Sequence, residues 1–480
     1  MFMFVGRESQ ISSLMVLWKK RVASFVTCRG RRRIGKSTLI EVFARRSEAR
    51  FIKVEGIRPG VNVGNADELA SFAAQLSYQT GCEDTPPTSW MNAFARLDRE
   101  IKDDGRTVVL IDEVSWMAHD DKLFASTLKI AWDNLLKKHD RLVLVVCGSV
   151  STWIRENIID DGAFYGRRSL DIVVPELSLP ECVRFWGDAA RRTDRLEIVD
   201  ILSVTGGVPK YLEELDSSAG ADENLRRLAF SPHGVLREDF DEMFRDVITR
   251  QQTFAGAVIR SLVSGSKSIP EIASALGLDR NGHFSAALDQ LAEAGLVALD
   301  EGKNPATGED AHGSSYRLRD NYARFYLKYV EPVAKAIDRG EFKMGSLEAL
   351  DGWDAVKGLA FENLVVNNAT LLVEKLGLSN AQIVSAVPYR RRASRNGARG
   401  GVQVDLLMQT RKSICLVEVK RQKEIGREVI AEMEEKVRLV PRRSGVSVRT
   451  ALVYEGHLAP IVEADGFFNS IIPFREILGL

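Results

Sequence analysis

Gly30-Arg31-Arg32-Arg33-Ile34-Gly35-Lys36-Ser37 is the stretch on which the reading of this chain turns. Its spacing is G-x-x-x-x-G-K-[ST]. It follows an apolar run from Val22 to Cys28 and opens a helix-patterned run from Thr38 to Arg45. A strand, a glycine-rich turn and a helix in that order make a phosphate cradle. The glycines let successive backbone N–H groups face inward, and the helix N-terminus adds partial positive charge. Lys36 reaches the β- and γ-phosphates, and the Ser37 hydroxyl is the expected Mg²⁺ ligand. Gly30, Arg31, Arg32, Arg33, Ile34, Gly35, Lys36, Ser37 and Thr38 are therefore read as the loop that binds ATP.

About 75 residues on, Val108-Val109-Leu110-Ile111-Asp112-Glu113 is an apolar run ending in two acids. Alone it is as well read as an ordinary strand end. Paired with the phosphate loop, it predicts Asp112 on Mg²⁺ through water and Glu113 orienting the water that attacks the γ-phosphate. The next run, Leu142–Cys147, leads into Gly148-Ser149, where Ser149 is either a γ-phosphate contact or a turn serine.

The 480 residues imply two to four domains, and 45% hydrophobic with 28% charged residues is a globular composition. Net charge is zero, so nucleic-acid affinity must come from local patches. The five cysteines are odd in number and form no C-x-x-C pair, which suits reduced thiols in a cytoplasmic protein. Arg7 and Glu8 interrupt any signal-peptide core, and no run of 18 apolar residues suggests a membrane span.

The expected fold class is α/β. Strand-like runs at 22–28, 51–55, 107–112, 142–147 and 170–174 alternate with amphipathic segments, the pattern of a parallel sheet. Residues 1–235 are read as the P-loop ATPase domain. Residues 236–335 are read as a winged helix-turn-helix, with helices Phe254–Val263, Ile269–Leu276 and His283–Glu293 and strands Leu296–Leu299 and Tyr316–Leu318. Residues 342–480 form a third domain: a helix-like segment 354–375, strands near 402–408 and 413–419, a charged helix at 427–438, and strands near 448–454 and 470–473.

Phe4-Val5-Gly6-Arg7-Glu8, the phosphate loop, Cys147-Gly148-Ser149, Tyr165-Gly166-Arg167-Arg168 and Gly206-Gly207-Val208-Pro209-Lys210-Tyr211-Leu212 follow one another in that order. Together they resemble the archaeal-type ATPase family, a prokaryotic AAA+/STAND-related group. The resemblance implies a helical lid carrying Pro209 beside the nucleotide. It also implies that Arg167 or Arg168 is the transition-state cation, in cis or on a neighbouring copy in a homo-oligomer, unless both are surface charges.

Asn281–Glu293 occupies the position of a recognition helix, but it is rich in Ala, Ser and Asp, with Arg280 alone at its start and Asp279 and Asp289 nearby. DNA readers neutralise phosphates with Lys and Arg, so a protein-docking or spacer role is favoured over operator reading. His283 and His312 read as surface polar residues.

Val404-Asp405-Leu406-Leu407-Met408 and Ile414-Cys415-Leu416-Val417-Glu418-Val419-Lys420 are adjacent strand-like runs. Alternation puts Glu418 and Lys420 on one face. Asp405 and Glu418 then form an oxygen-ligand Mg²⁺ site, and Lys420 steadies the phosphate or positions the attacking water. The pattern resembles the PD-(D/E)XK restriction-endonuclease-like core, and the resemblance implies that Glu362 supplies the acid of the preceding helix. Arg390, Arg391, Arg392, Arg395 and Arg399 crowd the segment before Asp405, read as a loop. Residues 388–449 hold sixteen Lys/Arg against seven Asp/Glu, a footprint suited to DNA or another phosphodiester. The expectation is an ATPase that gates Mg²⁺-dependent DNA binding or cleavage. The alternative is a STAND-like signalling switch whose C-terminal domain binds a partner without catalysis.

Overall fold

Five apolar runs in the first third of the chain become strands: β1 (Ser24–Arg29), β2 (Arg50–Glu55), β3 (Thr107–Asp112), β4 (Leu142–Gly148) and β5 (Arg168–Val173). The structure, a computed structural model, describes residues 4–102, 105–149, 151–247, 252–277, 282–309, 315–393 and 400–480. Asp279, Arg280, Asn281, His312, Arg395 and Arg399 lie outside the described residues, as does the His283 side chain.

The described residues group into two compact units, 1–176 and 177–480. In the first, the five strands form one sheet in the order β2-β3-β4-β1-β5, every pair parallel. Parallel strands need crossovers, and helices α1 (Glu8–Lys19), α2 (Lys36–Arg46), α3 (Asn65–Thr80), α4 (Trp90–Glu100) and α5 (Phe124–Asn134) cover both faces. Strand alternation divides the core. Phe25, Val109, Ile111 and Val146 pack with Phe72, Phe94 and Leu128 on one face. Val26, Val108, Leu110 and Val145 pack with Leu14, Leu39 and Phe43 on the other. Because β4 lies between β1 and β3, the residue after β4 stands between the phosphate loop and the acids after β3.

The second unit begins at Leu177, so residues 177–235, read from sequence with the first domain, fold with the rest of the chain. The reason is apolar: Leu202 on α6 (Arg195–Thr205) and Tyr211 on α7 (Pro209–Glu213) share one buried cluster with Leu262, Tyr322 and Phe361. Helices α8 (Gln252–Ser261), α9 (Ile269–Leu276) and α10 (Gly282–Glu293) accompany a small antiparallel sheet ordered β6 (Lys267–Ser268), β8 (Ser315–Leu318), β7 (Val297–Asp300). The sequence reading had a two-stranded hairpin there; β6 is the added strand.

Helix α11 (Trp353–Asn367) precedes a mixed sheet ordered β13-β12-β11-β10-β9. Its strands are β9 (Ile383–Arg391), β10 (Val402–Thr410), β11 (Ser413–Ile425), β12 (Ser447–Leu458) and β13 (Ser470–Pro473). The first three pair antiparallel and the last three parallel, with α12 (Glu428–Leu439) as the crossover between β11 and β12. Arg390 and Arg391, expected in a loop, are the end of β9. That strand is half-buried at the sheet edge, and Pro388 is tolerated there because an edge strand has a row of groups without ladder partners. Among the described residues no helix is long and apolar enough to cross a membrane.

Candidate functional site

The phosphate loop joins β1 to α2. Gly30 has φ 153°, and a Cβ there would stand 2.7 Å from the Val174 carbonyl, so the approach of the chain after β5 requires glycine. Gly35, at φ 85°, caps α2, whose first amides have no partner within the helix. Ile34 is buried, and its carbonyl accepts a 3.2 Å hydrogen bond from Arg7, itself left-handed at φ 67°. Arg7 thus braces the loop from Gly6-Arg7-Glu8. Arg31 lies 3.9 Å from Glu176, Arg33 adopts φ 63°, Arg32 lies between them, and Thr38 falls in the first turn of α2.

Lys36 Nζ donates to the Gly30 and Arg31 carbonyls at 3.1 Å each, folding the ammonium over the loop. Ser37 Oγ donates to Asp112 Oδ2 at 2.5 Å, which ties α2 to the end of β3. Hydroxyl and carboxylate oxygens side by side are the hard donor set that suits Mg²⁺. The structure adds a residue the sequence did not single out: Lys53 on β2, whose Nζ lies 3.3 Å from the same Asp112 oxygen and 3.2 Å from Glu55. Its period-2 position on β2 was the available signal.

Glu113 takes φ 45°, a strained value for a side chain with a Cβ. Its Oε2 accepts from the Ser149 N–H at 3.1 Å and the Ser149 hydroxyl at 3.0 Å. Burial pushes the Glu113 carboxyl upward, against the pull of the Lys36 charge and the Ser149 amide. Strands β3 and β4 therefore bring Asp112, Glu113 and Ser149 together beside the loop of β1.

Arg167 and Arg168 are not brought there. Arg168 is paired with Phe25 at the start of β1, whereas the phosphate loop follows its end. Five residues of strand, about 16 Å, separate the two levels. Arg167 instead donates to Asp133 at 2.8 and 3.0 Å and to the Ala163 carbonyl. Arg168 donates to the Ile159 carbonyl at 3.4 Å. This parallel register keeps both arginines away from the phosphate loop of their own chain, which leaves the neighbouring-copy and surface-charge readings. Pro209 begins α7 in the second unit.

A second constellation lies in residues 177–480. Glu362 on α11, Asp405 on β10, and Glu418 and Lys420 on β11 all line one cleft of about 1470 Å³. Asp405 Oδ2 accepts from the Val419 N–H at 2.9 Å, and Lys420 Nζ lies 3.1 Å from Glu418 Oε1, so Glu418 and Lys420 share a face. Burial, then the neighbouring Glu418 and Glu362 carboxylates, push Asp405 up to about 8. Glu362 is raised mainly by burial, despite the Arg324 charge nearby. Like charges facing one cleft push one another's carboxyls upward; among the described residues no three His, Cys, Asp or Glu side chains are grouped closely enough to hold a metal ion, so Asp405 and Glu418 are the two carboxylates left to offer one. Lys436 of α12, another residue the sequence did not single out, stands 2.5 Å from Glu418 Oε2.

The wall of this cleft includes α6. Arg421 on β11 bridges Asp200 at 2.5 Å, and Arg195 bridges Glu455 on β12 at 2.9 Å. Of the arginines expected to track a phosphodiester, Arg390, Arg391 and Arg392 are engaged by protein groups while staying at the surface, the Arg390 and Arg392 side chains 37% and 55% exposed. Arg390 lies 3.3 Å from Glu271 on α9, Arg392 bridges the same carboxylate and donates to Ser268 at 3.0 Å, and Arg391 donates to the Gly400 carbonyl.

Comparison with known proteins bears on the first site. A family described as an ATPase domain predominantly from Archaea matches residues 4–215. The chain is 23% identical over 425 residues to an uncharacterized protein of Methanocaldococcus jannaschii, covering 87% of each. The fold is similar to that of a Walker-type ATPase of Pyrococcus abyssi, with TM-score 0.51 and 15% identity over 68% of this chain and 96% of that one. With the parallel sheet, the glycine-lined loop and the Ser37–Asp112 contact already placed, residues 4–215 are a P-loop ATPase domain of the archaeal type.

Proposed function

We propose that this chain hydrolyses ATP with Mg²⁺ in its first 215 residues and uses the nucleotide state to govern Mg²⁺-dependent binding or cleavage of DNA by its C-terminal residues. The observation that carries the first half is the Ser37–Asp112 hydrogen bond, with Glu113 held beside it by Ser149. The backbone amides of Gly30 to Ser37 would cradle the β-phosphate, and Lys36 would leave the Gly30 and Arg31 carbonyls for the phosphate oxygens. Ser37 and Asp112 would hold Mg²⁺, whose charge neutralises the β- and γ-phosphates. Glu113, fixed by two hydrogen bonds to one oxygen, would orient the attacking water.

The convergence of Glu362, Asp405, Glu418 and Lys420 on one cleft supports the second half. Asp405 and Glu418 would hold Mg²⁺, Glu362 would add its charge, and Lys420 would face the phosphodiester. The three helices and small sheet of residues 252–318 are read as a winged helix serving as a spacer or docking module. Continuity of the chain supports coupling: the family match runs to residue 215, yet residues 177–215 fold with the C-terminal remainder, and α6 lines the acidic cleft.

Lys36→Ala is expected to abolish ATP turnover while Asp405→Ala spares it, and Asp405→Ala is expected to abolish Mg²⁺-dependent nicking of a supercoiled plasmid. Turnover that survives Lys36→Ala refutes the first half; a wild-type protein that neither binds nor cuts DNA refutes the second. The arginines already paired with Glu271 and the lysines closed on Glu418 favour the alternative, a nucleotide switch whose C-terminal domain binds a partner without catalysis. Bound nucleotide retained without turnover would support that alternative.

A further inference from the structure

Glu418 carries a cation on each of its oxygens. Lys420 lies 3.1 Å from Oε1, and Lys436 lies 2.5 Å from Oε2. The two lysines are not equivalent. Lys420, on the same strand as Glu418, is also held at 2.8 Å by Glu432 of α12. Lys436, one turn further along α12, has a single ion pair among the described residues, to Glu418. It lines the same cleft as Glu362 and Asp405, and its charge acts on both of those carboxylates. Lys420 is thus held by two carboxylates, while Lys436 depends on one.

A divalent cation held by Glu418 would sit about 2.0–2.3 Å from its oxygens, too near a second positive charge on the same carboxylate for both to stay. The lysine is the one that can move, because its four-carbon stem has rotatable bonds and its ammonium is not fixed to one geometry. Phosphate oxygens of a strand lying in the cleft would then compete for it with Glu432, one turn back on α12.

We propose that Lys436 is the exchangeable cation of this site, neutralising Glu418 in the metal-free protein and binding a phosphate oxygen of the nucleic-acid strand once a metal is held. This rests on the proposed Mg²⁺-dependent reading of the cleft. Lys436 acts in two states with opposite consequences for metal and substrate, which a merely structural lysine would not do.

The experiment titrates Mn²⁺ by calorimetry into the full chain without nucleotide, for wild type, Lys436→Met and Lys436→Gln. Asp405→Ala serves as the blank, and the heat it loses defines this site. Both Lys436 variants are expected to bind Mn²⁺ tighter by on the order of tenfold, the worth of one charge-assisted hydrogen bond removed from competition. They are also expected to nick plasmid more slowly, and to bind a short DNA duplex in Ca²⁺ more weakly than wild type. Mn²⁺ affinity that is unchanged or weaker in both variants overturns the inference, even if cleavage falls. A wild-type protein that shows Asp405-dependent Mn²⁺ heat and nicking, matched by both variants, overturns the inference alone. No Asp405-dependent heat in wild type overturns the inference together with the reading it rests on.

Discussion

Ser149 is joined twice to one oxygen of Glu113, through its amide at 3.1 Å and its hydroxyl at 3.0 Å. The backbone half of that tie survives any side-chain change, so the hydroxyl can be tested by itself. Ser149→Ala is expected to slow ATP turnover by roughly five- to tenfold, about one net hydrogen bond, with nucleotide affinity nearly unchanged. Glu113→Gln removes the water-orienting carboxylate and is expected to cost ~10²-fold or more. Steady-state turnover alongside fluorescent-nucleotide binding reads both; equal turnover in Ser149→Ala and wild type would leave the hydroxyl as a turn residue.

Arg167 belongs to the opposite end of the parallel strands from the phosphate loop. Arg167→Ala is therefore expected to leave ATP affinity of a single chain unchanged. Any loss of turnover must then grow with protein concentration, because only a second copy can bring this end to a nucleotide. A tenfold loss of ATP affinity in dilute protein would contradict the placement.

Glu271 links α9 to β9 by accepting both Arg392 and Arg390. Burial raises its carboxyl, but the Ser268 amide and hydroxyl, Arg392 and the Arg390 charge outweigh that and bring it down to about 2. A carboxyl lowered on folding adds stability above its unfolded value, near 4.5, and loses it as pH falls through the folded one. The contribution should therefore be intact at pH 7 and fade between about pH 4.5 and 2. Glu271→Gln is expected to lower the melting temperature at pH 7 and to remove that part of the acid dependence. A variant with the same slope as wild type over this window would show that Glu271 does not carry it.

Arg421 and Asp200 form a pair that is mostly withdrawn from solvent, with side chains 6% and 15% exposed. Arg421→Ala leaves a carboxylate that burial already pushes upward. The variant is expected to lose about 3 kcal/mol of stability, as breaking one side of a buried pair does. Asp200→Asn with Arg421→Met should recover part of it. Chemical denaturation followed by circular dichroism measures both, and a change under 0.5 kcal/mol for Arg421→Ala, the ordinary range at a surface position, would contradict the burial.

The phosphate loop and the five parallel strands were legible because a fixed spacing and buried apolar runs are local signals. The same holds for β10 and β11, where alternation alone put Glu418 and Lys420 on one face. β9 was missed because Pro388 and the arginines after it hide a half-buried edge strand whose pattern is weak. Lys436 reaches Glu418 only through tertiary packing, and no spacing announces it, whereas Lys53 had only its alternating position on β2 to mark it. The placement of Arg167 and Arg168 follows from strand direction alone. Residues at the start of a parallel strand lie at the end of the sheet opposite to those that follow one, so a loop after β1 and arginines at the start of β5 cannot meet within the same sheet.

The apolar faces of α6 and α7 set where this polypeptide can be divided. Leu202, Val204 and Tyr211 are covered by residues of the second unit, so a fragment ending at 215 would lay them open to water and invite aggregation. A fragment ending at 176 keeps both faces of the parallel sheet clothed by its own helices. Dissection of the nucleotide-binding half should begin with that shorter piece.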